Sequence, residues 1–233
     1  MKVTAIVLAG GSGERLGSDI PKQYIDLGGK PVLAHSLAAF EASLAGEIII
    51  VAGSGYEDAA EEIATSYNIS KFTKAVTGGA ERYDSVLAGL RAADGCDFVL
   101  IHDGARPFIT VATINHMIEE VVKYGAAIAG MPSKDTVKIA DKDGFIESTT
   151  DRSRTWNVAT PQCFEYAKIL AAYEKIIGDE TRDKSLITDD AFVFAEAFPE
   201  AKIRLVEAGY GNIKITTPED IEYARFLVDS ANK

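Results

Sequence analysis

Residues 8–17 read Leu-Ala-Gly-Gly-Ser-Gly-Glu-Arg-Leu-Gly. Glycines let backbone N–H groups come close to an anion, and Arg15 adds a fixed positive charge beside them. The loop is suited to phosphate, although glycines alone also make a plain strand-to-helix turn. Two familiar phosphate loops do not fit it. The dinucleotide pattern G-x-G-x-x-G needs glycine where Leu16 stands, and no glycine is followed by Lys and Ser/Thr at Walker spacing. Next comes Asp19-Ile20-Pro21-Lys22-Gln23-Tyr24. Lys22, on a short loop stiffened by Pro21, can reach the same phosphates; read alone, it is a surface lysine. Asp103 follows the apolar run Phe98–Ile101. A carboxylate at the carboxyl end of a strand can share a magnesium ion with bound phosphates, or can simply cap the next turn.

Together these groups suit the attack of one phosphate on another. Both partners are negative, so repulsion is the first obstacle and cations remove it. A phosphate monoester is already ionised near neutral pH, so no general base is required. That agrees with a chain that has three histidines and no Ser-His or Cys-His constellation. Catalysis would come from positioning and electrostatic stabilisation.

Such groups need rigid elements behind them. Strands are expected at Val3–Leu8, Glu47–Ala52, Phe72–Thr77, Phe98–Ile101, Ala126–Met131 and Lys202–Val206. Helical spacing covers Leu33–Ala42, Tyr56–Tyr67, Glu81–Ala93, Val111–Lys123, Tyr166–Ile177, Asp189–Phe198 and a closing stretch from Pro218 to Asp229. Continuous apolar strands that alternate with helices predict an α/β fold: a Rossmann-like, mostly parallel sheet with helices on both faces. The pattern changes at Ser133–Thr160, where Thr, Val and Ile alternate with charges around Asp143-Gly144. This predicts an inserted β-arm with a hairpin. His102 and Trp156 are read as structural, the latter in arm packing, and Asp189 and Asp190 as caps of the helix they begin.

The bulk properties suit one such domain over residues 1–233. Net charge is −11, which disfavours a nucleic-acid partner. Cys96 and Cys163 fit neither a metal spacing nor a disulfide framework and are expected in packing, in a reduced, cytoplasmic protein. No apolar run suggests a membrane span, and Val3–Ala9 reads as a first strand rather than a signal segment.

The loop Leu-Ala-Gly-Gly-x-Gly-x-Arg followed by Pro-Lys-Gln-Tyr resembles nucleotidyltransferases that activate sugars and polyols. Further motifs narrow this: Gly78-Gly79-Ala80-Glu81-Arg82-Tyr83-Asp84-Ser85-Val86, His102-Asp103-Gly104-Ala105-Arg106-Pro107-Phe108, Lys134-Asp135-Thr136-Val137-Lys138, Thr160-Pro161-Gln162, Thr188-Asp189-Asp190-Ala191 and Asn212-Ile213-Lys214-Ile215-Thr216. In this order they resemble the 2-C-methyl-D-erythritol 4-phosphate cytidylyltransferases, from residue 3 to about 227.

The resemblance implies transfer of CMP from CTP to a polyol phosphate, a magnesium or other divalent cofactor, and a homodimer through the 133–160 arm. It implies catalytic roles for Arg15, Lys22, Arg152 and Lys214. Arg15 and Lys22 would grip the triphosphate, and Lys214 would position the attacking phosphate. Ala9, Gly10, Gly11, Gly79, Ala80, Ser85 and Asp103 would bind the nucleotide, and Asp103 also the metal. The polyol phosphate would meet Asp103, Arg106, Thr160, Thr188 and Lys214, together with Thr136 and Arg152 reaching across the dimer. The family often has Ala at position 10, a polar residue at 80 and Ala at 104, so a side-chain contact from Ala80 to the base is lost. Two rivals are a ribitol 5-phosphate cytidylyltransferase and a non-catalytic nucleotide-binding module; the latter predicts damage to Arg15, Lys22 or Asp103, and all three are intact.

Overall fold

The computed structural model describes residues 1–11 and 20–231. Arg15 lies outside the described residues. Among those described, seven strands form the main sheet in the order β3-β2-β1-β4-β8-β5-β9, and β6 and β7 form a separate pair. The strands are β1 (Val3–Ala9), β2 (Glu47–Ala52), β3 (Phe72–Thr77), β4 (Phe98–Asp103), β5 (Ala126–Pro132), β6 (Lys138–Ala140), β7 (Ile146–Thr149), β8 (Trp156–Glu165) and β9 (Arg204–Glu207). The helices are α1 (Val32–Glu41), α2 (Glu57–Ser66), α3 (Arg82–Ala92), α4 (Val111–Tyr124), α5 (Tyr166–Ile177), α6 (Asp190–Ala197) and α7 (Pro218–Ala231).

All seven residues of β1 are buried, which requires cover on both faces. Strand side chains alternate between faces, and β1 sorts accordingly. Val3, Ala5, Val7 and Ala9 pack with Leu33, Leu37 and Phe40 of α1, Ala60 of α2 and Met117 of α4. Ile6 and Leu8 pack with Val86 and Leu90 of α3, Tyr173 of α5 and Phe194 of α6. A smaller cluster of Leu27, Val32, Ile215 and Ala224 ties α7 to the loops beside α1.

β1 pairs in parallel with both β2 and β4. From β1 the chain moves outward through β2 to β3, then returns to β4 on the other flank of β1. The crevice beyond the carboxyl ends of β1 and β4 is therefore the topological switch point, where open α/β sheets bind ligands.

The expected arm is shorter than 133–160. Residues 156–160 belong to β8, which runs antiparallel between β4 and β5. Pro161 argues against a strand on sequence grounds, because it cannot donate to a ladder. The structure resolves this locally: the β5–β8 register shifts between Gln162 and Val158, so Pro161 sits where the ladder is broken. What projects as an arm is the β6–β7 hairpin, turning through Asp143-Gly144, with Gly144 at φ 86°. The 3-10 turn Arg152–Arg154 then leads back to β8.

Candidate active site

Lys22 opens a 3-10 turn, Lys22–Tyr24, directly after Pro21. It is buried, at 8% exposure, so the surface reading of this lysine fails. Gln23, also buried, lies against the glycine loop: with its amide assigned in the orientation that pairs both atoms, the nitrogen donates to the Gly11 carbonyl at 3.1 Å and the oxygen accepts from the Gly11 N–H at 3.2 Å. Opposite stands the start of α3. A capping box between Glu81 and Asp84 fixes that helix end. Ser85 accepts from the Gly79 N–H at 3.1 Å, and Gly78 N–H donates to the Ala52 carbonyl at 2.7 Å, so the 78–85 segment hangs from the end of β2. A Cβ on Gly79 would stand 2.2 Å from the Asp84 Cβ, which makes glycine obligatory there.

β4 ends on Asp103, and a tight turn follows. Gly104 N–H donates to the Leu8 carbonyl at 2.8 Å, and Arg106 N–H to the Asp103 carbonyl at 2.9 Å. Beneath the turn lies His102, fully buried. Its Nε2 faces the Arg106 carbonyl at 3.3 Å, and its Nδ1 the Thr160 hydroxyl at 3.1 Å. A carbonyl only accepts, so Nε2 carries the proton and Nδ1 accepts from Thr160. The same Thr160 oxygen accepts from the Asp103 N–H at 3.0 Å. Burial pushes the His102 imidazole down to about 4, against the pull of Asp103, so the ring is neutral at pH 7. It is a structural clamp, as expected.

Asp103 is surrounded by cations. Arg82 Nε lies 3.3 Å from Oδ1; Lys214 Nζ lies 2.8 Å and Arg106 Nε 3.8 Å from Oδ2. Burial raises its carboxyl, but Arg82, Lys214 and Arg106 outweigh that and hold it well below the usual range. Lys214 sits on a loop pinned beside this turn, since Ile215 N–H donates to the Ala105 carbonyl at 2.9 Å. Arg106 donates to the Asn212 carbonyl at 2.8 Å, and Asn212 Nδ2 to the Thr160 carbonyl at 2.8 Å.

Two cavities meet here. The first, of about 410 Å³, is lined by Gly10, Gly11, Lys22, Gln23, Gly79, Ala80, Ser85 and neighbours. The second, of about 530 Å³, is lined by Arg106, Trp156, Thr160, Gln162, Thr188 and neighbours. Arg82, Asp103 and Lys214 line both, and so form the shared wall.

The structure thus gathers Gly10, Gly11, Lys22, Gly79, Ala80, Ser85, Asp103, Arg106, Thr160, Thr188 and Lys214. Ala9 is buried at the end of β1 beside the glycine loop. Thr136 and Arg152 are exposed on the arm side and line neither cavity. Among the described residues no cluster of three or more His, Cys, Asp or Glu forms a ready metal cage, so Asp103 would hold a cation only together with ligand oxygens. Cys96 and Cys163 are free and buried, as expected.

Arg82, Gln23 and the role of Asp190 are not found by the sequence reading. Asp189 does cap α6, accepting from Phe192 N–H at 2.8 Å. Asp190 does not: it is fully buried and takes both terminal nitrogens of Arg82, each at 2.8 Å. Trp156, paired with Pro132 at the start of β8, also lines the second cavity. One signal for Arg82 was available. It is the first residue of its helix, where the macrodipole disfavours a cation. Such a cation needs carboxylates nearby.

Comparison with known proteins shows which family the chain resembles. The family model described as IspD, 2-C-methyl-D-erythritol 4-phosphate cytidylyltransferase, matches residues 3–230. Relatives with that name include one from Lachnoclostridium phytofermentans, 48% identical over 228 residues (97% of this chain, 96% of the relative), and one from Lachnospira eligens, 49% identical over 223 residues (95% and 96%). A solved structure of 4-diphosphocytidyl-2C-methyl-D-erythritol synthase from Anaerococcus prevotii superposes with a TM-score of 0.86 at 35% identity, covering 98% of this chain and 96% of that one. The Thermus thermophilus cytidylyltransferase gives 0.76 at 28% identity, covering 98% and 100%. No helix among the described residues is long and apolar enough to cross a membrane. With its motifs converging on one crevice and its relatives matched over nearly their whole length, the chain belongs to the 2-C-methyl-D-erythritol 4-phosphate cytidylyltransferase family.

Proposed function

We propose that this chain transfers CMP from CTP to 2-C-methyl-D-erythritol 4-phosphate, releasing pyrophosphate, as a cytoplasmic enzyme. The observation that carries the reading is the pair of cavities sharing a charged wall of Arg82, Asp103 and Lys214. A transfer between two bound ligands needs such a meeting point.

CTP occupies the first cavity. Its base lies by Gly79, Ala80 and Ser85, where backbone groups and one hydroxyl read the pyrimidine edge. Its phosphates lie by Ala9, Gly10, Gly11 and Lys22, with Arg15 from the same loop. The polyol phosphate occupies the second cavity against Arg106, Thr188 and Lys214. Thr160 acts there through the Asp103 turn, because its hydroxyl already serves Asp103 and His102. A divalent cation such as magnesium would be held by Asp103 and the CTP phosphates; when bound, it neutralises phosphate charge. Asp103 stays ionised at every working pH, which suits it to that task. The chain's own part is to aim the acceptor oxygen at the α-phosphate with Lys214 and to stabilise the charge that develops there with Lys22 and Arg15.

The β6–β7 hairpin leaves Ile139, Phe145 and Ile146 exposed, the last two at 72% and 67%. Those side chains suit a second copy of the chain, and a homodimer would carry Thr136 and Arg152 to the partner's acceptor cavity. Sizing chromatography should give a dimer; a fully active monomer contradicts this part. The activity itself is tested by pyrophosphate release across the four nucleoside triphosphates with methylerythritol phosphate or ribitol phosphate as acceptor. CTP with methylerythritol phosphate should be turned over. Turnover of ribitol phosphate alone, or CTP binding without pyrophosphate release, overturns the reading.

A further inference from the structure

A chain of alternating charges crosses the wall between the two cavities. Tyr173 on α5 donates to Asp190 Oδ1 at 2.5 Å. Asp190, at the start of α6, accepts from both terminal nitrogens of Arg82 at 2.8 Å each. Arg82, at the start of α3, donates from Nε to Asp103 Oδ1 at 3.3 Å. Asp103, at the end of β4, meets Lys214 Nζ through Oδ2 at 2.8 Å. Tyr173 and Asp190 are fully buried and line neither cavity, whereas Arg82, Asp103 and Lys214 line both.

We infer that Asp190, held by Tyr173, is a positioning residue for the transfer step: it fixes the plane of Arg82 and so sets where Asp103 and Lys214 stand at the junction. The inference rests on the cytidylyl-transfer reading above. A guanidinium is a planar fork with its donors in fixed directions. Once Asp190 takes both terminal nitrogens, the direction of Nε–H is settled, and that group reaches Asp103. Asp103 in turn orients the ammonium of Lys214, the cation that the proposed reading assigns to the attacking phosphate.

Stability alone does not explain the arrangement. A buried ion pair is often no better than well-packed apolar side chains of similar volume. A cation in the first turn of a helix is opposed by the macrodipole. Asp190 offsets both penalties for Arg82, and burial of the Arg82 guanidinium is outweighed by Asp190 and Asp103, which keep it charged. What the pair supplies beyond charge balance is direction. Tyr173 adds a third donor to the Asp190 carboxylate and limits its rotation.

The test compares kcat and the KM of each substrate in the wild type, Asp190→Asn, Tyr173→Phe, Arg82→Lys and the double variant Arg82→Lys with Asp190→Asn, with thermal unfolding alongside. Asp190→Asn should lower kcat by roughly 10²-fold, the scale of a small misplacement at a reacting centre, with little change in the KM for CTP. Tyr173→Phe keeps the ring and should lower kcat by about 3–10-fold. In the Arg82→Lys background, which has no fork to orient, Asp190→Asn should add no more than about a further 2-fold. A folded Asp190→Asn with wild-type kcat, or losses that multiply in the double variant, overturns the inference. If Asp190→Asn does not fold, the Tyr173→Phe and Arg82→Lys pair decides in the same way: overlapping losses support the inference and multiplying losses overturn it. A wild-type protein that releases no pyrophosphate removes the underlying reading instead, and the inference with it.

Discussion

The cavity lined by Gly10, Gly79 and Ser85 and the cavity lined by Trp156, Thr160 and Thr188 sit side by side but are assembled differently. Beyond the shared Arg82, Asp103 and Lys214, the first is walled mainly by the end of β1 with its glycine loop, the Lys22–Tyr24 turn and the segment that opens α3, each delivered by a short contiguous motif. The second draws on β8, the turn after β4, the loop before α6 and the loop before α7. The first is proposed to take the nucleotide, which presents the same phosphates and base to every enzyme of this kind. The second is proposed to take the acceptor, with Thr136 and Arg152 contributed from a partner's arm. The contrast implies that a nucleotide site is encoded locally, while an acceptor site is encoded in the tertiary arrangement and the assembly.

Substitution at the phosphate end of the first cavity should have the largest effect. Lys22→Ala should lower kcat by about 10²–10³-fold, by analogy with the loss of one transition-state donor. Steady-state kinetics with a circular-dichroism check of folding measures this. Near-normal turnover would place Lys22 outside the chemistry despite its burial.

The turn that both cavities share depends on a neutral His102, and that has a pH signature. Its folded value of about 4 lies below the ordinary 6.5, so between these values the unfolded chain binds the extra proton. This stability is present above pH 6.5 and is lost as pH falls towards 4, a change of about 3 kcal/mol. Denaturant titrations from pH 7 to 4 should show the loss, and His102→Gln should flatten it. The acid limb of activity is expected elsewhere, near pH 6, where the acceptor phosphate gains its second charge.

The arm should matter least and only to one substrate. Arg152→Ala should raise the KM for methylerythritol phosphate by about 10-fold, near 1.4 kcal/mol, and leave the KM for CTP within about 2-fold. Equal changes for both substrates would dissolve the distinction between the cavities.

The same contrast governs what the sequence reveals. β1, β2, β4 and β5 were legible because burial on both faces leaves a continuous apolar signal; the edge strands β3 and β9 are partly exposed and were read from short β-rich runs. β8 was not, because Pro161 interrupts it and its pairing partners lie 24 to 67 residues away. Lys22 and Asp103 were found because their residue types and places carry chemistry, and Lys214 through the family resemblance. Arg82 and Asp190 stood inside quoted motifs yet were missed, because their pairing joins two helices separated by 108 positions. A run of two aspartates before a helix contains a cap, and only the fold shows that the second is turned inward.

The measurement closest to the central claim, that transfer happens at the wall shared by the two cavities, is single-turnover pyrophosphate release by Lys214→Ala with CTP affinity measured in parallel. CTP affinity should stay within a few-fold of the wild type. The release step should slow by about 10²–10³-fold. Release at the wild-type rate, or a loss explained wholly by weaker CTP binding, would contradict the account.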